Sequence, residues 1–219
     1  MGEREEPWPL VPPGMDVPGR SPEALSDLVA RRLLAQRVVV LSGPLDDFSV
    51  TRVSAELMTL DAEGDDPVTL RVDCGDAALA PSLTLMDVVE LMGVPVRALC
   101  LGQVGGGAVG VVAVCSHRAA LPSTRLSLSE PKTQLEAHVR NVAQWAELRA
   151  AERERFCDRV GAASGQDPET VAQDLERGRF LSADEALAYG LLDEVARPVA
   201  PVRQLPSAGP PPMGFRPVR

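Results

Sequence analysis

The chain has 219 residues, of which 45% are hydrophobic and 3% aromatic, enough for one domain whose core is Leu, Val and Ala in helices packed on strands. A net charge of −9 argues against nucleic-acid or anionic-membrane partners. Gly or Pro interrupts every apolar segment short of a membrane span, and no basic region followed by an apolar stretch opens the chain, so a soluble, cytoplasmic protein is expected.

Residues 1–20 carry Pro7, Pro9, Pro12, Pro13 and Pro18 among charges and read as a flexible tail or processed leader. Ser21 and Pro22 suit the start of a helix through Leu28, Val29, Leu33 and Leu34. Residues 37–41 form a short β-branched run, a buried strand. Asp46 or Asp47 is placed to cap a helix with Val50, Val53, Leu57, Met58 and Leu60 on one side. Residues 68–73 alternate as a strand, residues 79–92 form a helix, and residues 96–101 form a buried strand. That strand breaks at Gly102 and at the triple glycine Gly105, Gly106 and Gly107, and a small, apolar, helix-compatible run follows. Short strands are expected at 118–121 and 125–128, a long charged helix over 133–163, and short helices at 168–177 and 182–189. Residues 198–219, with Pro198, Pro201, Pro206 and Pro210, read as a disordered tail. Strands alternating with helices imply repeated βαβ units and a mainly parallel sheet, an α/β fold.

The chemistry-bearing residue types are sparse. Cys74, Cys100, Cys115 and Cys157 have no C-x-x-C pairing, and Cys100 and Cys115 sit in apolar runs where buried free thiols are expected; no metal site or cofactor is implied. His117 and His138 are the histidines available to any base-dependent mechanism. His117 reads as an exposed loop residue and His138 as a solvated or interface residue of the long helix. On that helix, Glu152 and Arg155 are spaced for an i,i+3 pair. Glu130 and Asp76 are a possible carboxylate pair, with nothing in the sequence to bring them together. The stretch 99–115 is the most suggestive: a strand turning sharply into a helix presents free backbone N–H groups. Such a turn suits a nucleophile or an oxyanion, and it equally suits close packing.

Several segments together resemble one family. Residues 33–47 (LLAQRVVVLSGPLDD) are similar to the first strand and turn of the proteolytic subunit of the Clp protease, within the ClpP/crotonase fold. Residues 57–63 (LMTLDAE), 121–125 (LPSTR), 164–166 (SGQ), 179–186 (RFLSADEA) and 189–193 (YGLLD) resemble later motifs of that family in the same order. The resemblance covers residues 21–197 and implies a ClpP-like domain with a projecting handle helix. It also implies oligomeric assembly, by analogy a heptameric ring, with a Clp ATPase and active ClpP paralogues as possible partners.

The family's members are Ser-His-Asp peptidases, and the resemblance puts the nucleophile position at Gly106, the base position at Ser129 and the aspartate position at Gly178. Its oxyanion-forming loop and turn correspond to Gly75, Asp76, Ala77 and Gly107. The glycine-rich segment leading into the family's handle corresponds to the charged run 132–138 (KTQLEAH), which puts ring stacking in question more than ring formation through the head. Glycine carries no nucleophilic atom, and a serine hydroxyl has no proton affinity near neutral pH. The expectation is therefore a catalytically inactive member that assembles with itself or with an active paralogue. The alternative from another class is a crotonase-like acyl-thioester protein using the glycine turn as an oxyanion hole. A diverged fold with no retained partner is the blandest reading.

Overall fold

The computed structural model describes residues 22–131 and 142–197. Helix α1 (Pro22–Leu34) leads into strand β1 (Val38–Ser42), helix α2 (Asp47–Glu63) and strand β2 (Val68–Cys74). Helix α3 (Leu79–Leu91), strand β3 (Val96–Gly105) and helix α4 (Ala108–Ala113) follow, then strands β4 (His117–Ala120) and β5 (Arg125–Leu128). Helix α5 (Val142–Ser164), helix α6 (Pro168–Arg177), strand β6 (Arg179–Ser182), helix α7 (Ala183–Tyr189) and strand β7 (Glu194–Val195) complete the described residues.

The main sheet runs β1-β2-β3-β4-β7 with parallel neighbours throughout. One face carries Val39, Leu41, Leu70, Val72, Ala98 and Cys100, all buried, and helices α2, α3 and α4 pack side by side over it. On α2 the buried residues are Val50, Val53, Leu57 and Leu60, whereas Met58, expected with them, is 56% exposed. Its neighbour Leu57 already holds the inward position, and a residue one step on points about 100° away around the helix. Asp46 caps α2 in a reciprocal capping box with Ser49, each side chain bonding the other's backbone N–H. At the open edge of the sheet, Arg52 Nη2 donates to the Val40 carbonyl at 3.0 Å and blocks an edge acceptor from pairing with another chain.

Strand β3 is longer than its sequence suggests because it has two successive partners. Its first half pairs with β4, from Arg97↔His117 to Cys100↔Ala120. Its last residues pair with β5 in parallel, and β5 pairs with β6 antiparallel. Between the halves the register against β2 shifts, and Asp73 Oδ1 accepts the Gln103 N–H at 3.0 Å. That carboxylate satisfies a backbone donor that an interrupted ladder would orphan, so the strand continues through Gly102 instead of ending there.

Helix α5 buries Phe156, Cys157 and Val160 against the head, while none of residues 144–155 is buried, so the N-terminal half of the helix projects. Glu152 pairs with Arg149 at 2.9 Å, not with Arg155, whose Nε donates to the Ala151 carbonyl instead. The terminal segments 1–20 and 198–219, the charged run 132–138 and His138 lie outside the described residues.

Candidate active-site elbow

The end of β3 forms a tight turn into α4. Gly106 sits in the left-handed region at φ +55°, and Gly107 returns to φ −63° as the residue before the helix. A strand-to-helix turn of this kind aims the backbone N–H of the residue after the apex at an incoming oxygen. Here that donor is already engaged: Gly107 N–H donates to the Ala77 carbonyl at 3.3 Å.

Ala77 is held there by the loop after β2. The Asp76 carbonyl accepts the Leu45 N–H at 3.0 Å and the Cys74 thiol at 3.3 Å, and Ala78 N–H donates to the Leu45 carbonyl at 3.2 Å. Ala77 is buried and bridges Leu45 in parallel. The loop Gly75, Asp76 and Ala77 thus lies against the glycine turn, with the Asp76 carbonyl bonded to Leu45 and Cys74 and the Ala77 carbonyl to Gly107. A methyl group on Gly106 would stand 3.0 Å from the Ala77 carbonyl oxygen and 3.7 Å from the Pro131 Cα.

Strand pairing brings the positions singled out in the sequence to one edge. Gly105 pairs with Ser127 on β5, and Leu128 pairs with Arg179 on β6. Gly106, Ser129 and Gly178 each adjoin one of these paired residues. Gly178 closes α6 in the left-handed conformation at φ +65°, donating its N–H to the Asp174 and Leu175 carbonyls, and space is open where a side chain would stand. The edge therefore holds an apex without a side chain, a serine hydroxyl, and a bare helix terminus.

No histidine of the described residues approaches this edge. His117 is the first residue of β4, not a loop residue, and is half-exposed, with Nε2 3.5 Å from Glu194 and Nδ1 3.9 Å from Asp193. It pairs with Arg97 near the start of β3, which puts it roughly 20 Å along the strand direction from Gly106. Glu130, weighed as a partner for Asp76, is engaged by Arg153, whose guanidinium lies 2.8 Å from its carboxylate.

All four cysteines are free and buried. Burial pushes the Cys100 and Cys115 thiols up to about 12 and raises Cys74, the cysteine nearest the elbow, so none is poised as a thiolate.

A polar cluster beside Gly178 escaped the sequence reading. The buried Asp174 accepts hydrogen bonds from Tyr189 Oη at 3.0 Å and Arg179 Nη1 at 3.1 Å, and the Arg179 guanidinium lies 5.4 Å over the Tyr189 ring. Burial, then the hydrogen bond to Asp174, raises the Tyr189 phenol above its ordinary value. These residues satisfy one another and pin α6 to α7. The only sequence signal was a lone acidic residue on the inward side of a strongly amphipathic helix.

Among the described residues no group of His, Cys, Asp and Glu is placed to hold a metal ion, and no helix is long and apolar enough to cross a membrane. A family model described as Clp protease matches residues 21–199.

Proposed function

Since the chain belongs to the Clp protease family, we propose that it is a proteolytic-subunit homologue that does not cleave peptides and acts by assembly, with itself or with an active paralogue. The observation that carries this reading is the edge formed by Gly106, Ser129 and Gly178, where Gly106 has no nucleophilic atom, the Ser129 hydroxyl cannot act as a base, and Gly178 has no carboxylate to orient one. Loss of one member of a Ser-His-Asp set costs on the order of 10⁴ to 10⁶ in rate. Replacement of all members leaves only backbone donors, and the Gly107 donor is spent on Ala77. The same hydrogen bond weighs against the acyl-thioester reading, which needs that N–H free for a substrate oxygen. In the proposed role the chain occupies subunit positions in a cytoplasmic ring and alters access to the chamber or docking of the Clp ATPase.

The test combines activity and mass. The purified chain alone is expected to take no label from a serine-directed fluorophosphonate and to cleave no fluorogenic peptide. Mixed with an active paralogue, it is expected to enter a joint particle in native mass spectrometry, with label on the paralogue alone. Labelling of this chain, or cleavage by it alone, would overturn the proposal.

A further inference from the structure

Three residues after β5 cross the elbow without the support of the sheet. The β5–β6 ladder ends at the pair Leu128↔Arg179, and residues 129–131 continue past it. Pro131 is buried over the apex, 3.7 Å from where a Gly106 Cβ would stand, while Glu130 turns outward. There Arg153, on the part of α5 that leaves the head, reaches it: Nε and Nη2 both approach Glu130 Oε1 at 2.8 Å. The same guanidinium contacts Glu176 Oε1 of α6 at 2.9 Å and the Ala172 carbonyl at 3.2 Å. One side chain thus ties the strap, the projecting helix and α6 at a single point.

We propose that Arg153 is the pin of an ionic latch that holds residues 129–131 closed over the glycine elbow and couples that strap to the base of the projecting helix. The latch is built to open. The Glu130 and Glu176 side chains are 44% and 65% exposed, so solvent screens both pairs and each is individually weak. Facing it besides the paired groups is Cys157 of the next helical turn; the thiol is raised by burial and stays neutral, so the switching charges are the carboxylates and the guanidinium. Release would uncover Gly106 on the side of the projecting helix while leaving the Ala77 side closed. A partner that displaces α5 would thereby change what the elbow presents. The proposal rests on geometry alone and stands whether or not the chain proves inactive.

Hydrogen exchange read by mass spectrometry on the full chain tests it. In Arg153→Met, exchange of the peptide spanning 125–131 is expected to rise about threefold to tenfold, with peptides of β1 and β2 at wild-type rates. Glu130→Gln, a surface change that keeps the fold, should reproduce the effect in part, Glu176→Gln should leave the strap unchanged, and Arg153→Lys should restore most of the protection. Raising salt to about 1 M, where screening acts within about 3 Å, should speed strap exchange in the parent chain and not in Arg153→Met. Unchanged strap exchange in Glu130→Gln and Arg153→Met, or an increase spread evenly over the head, would overturn the latch.

Discussion

Gly106 and Gly178, the positions proposed to have lost catalytic side chains, have surroundings that differ in a way that can be measured. At Gly106 a side chain would have to adopt φ +55° and would meet the Ala77 carbonyl oxygen, a backbone atom, at 3.0 Å. At Gly178 the conformation is equally left-handed, but nothing lies within 4 Å of the missing Cβ. Asp also tolerates the left-handed region better than Ser does. Gly106→Ser should therefore cost about 2 to 3 kcal/mol and lower the melting temperature by about 5 to 10 °C, against about 1 kcal/mol for Gly178→Asp. Even the triple variant Gly106→Ser, Ser129→His, Gly178→Asp is expected to remain unlabelled by a fluorophosphonate, because the Gly107 N–H still serves Ala77. Labelling of that variant would mean that the loop at Ala77 yields readily, and the account of a closed elbow would fall.

Among the elements, the pieces that close the domain depend on Arg118. Its backbone N–H and Nε donate to Asp193 Oδ2 at 2.8 and 3.1 Å, and Nη2 lies 2.6 Å from Oδ1. Its Nη1 donates to the Ala163 and Gly190 carbonyls, both at 2.9 Å, so β4, the end of α5 and the end of α7 meet on one guanidinium. Arg118→Ala would leave those helix-end acceptors unpaired and should cost about 2 to 3 kcal/mol in chemical denaturation. The Arg118 side chain, through its hydrogen bond above all, holds the Asp193 carboxyl below the usual carboxylate range. The unfolded chain then takes up the proton first as pH falls, so this contribution is complete above about pH 4 and is lost as pH drops through the folded value. Asp193→Asn should lower stability at neutral pH and flatten its fall in acid. The effect is moderated because the Asp193 side chain is 36% exposed.

The same elements mark how far the sequence could be read. The βαβ order, a cap at Asp46 or Asp47 and helix α6 were legible because each rests on near neighbours: periodic apolar positions, a capping side chain, a proline at the helix start. Strands β6 and β7 were not, since four residues after a left-handed glycine and a two-residue pairing carry no alternation to detect. The features that decide the site were least legible of all. The Gly107–Ala77 hydrogen bond spans 30 positions and joins backbone atoms, which leave no residue signature, and the Arg153–Glu130 pair joins residues 23 apart on elements whose approach only the sheet determines. Gly106, Ser129 and Gly178 were singled out through resemblance; their physical nearness follows from the pairing of β3, β5 and β6.

For the molecule as a whole, assembly has to contend with charge. Each chain carries a net charge of −9, so subunits of the proposed ring would repel one another at long range, while exposed apolar side chains of the head such as Phe48, Leu91 and Phe180 would favour association at contact. The two effects respond differently to salt. Screening shortens the repulsion, from a range of about 30 Å at 0.01 M to about 8 Å at physiological ionic strength, and leaves apolar burial largely untouched. Sedimentation velocity should therefore show the assembled fraction growing as salt rises from low to physiological levels at fixed protein concentration. A decrease would mean that cross-subunit ion pairs, not apolar contact, hold the particle together. A lone chain at every salt concentration, with no active paralogue able to recruit it, would remove the assembly role proposed for this member of the family.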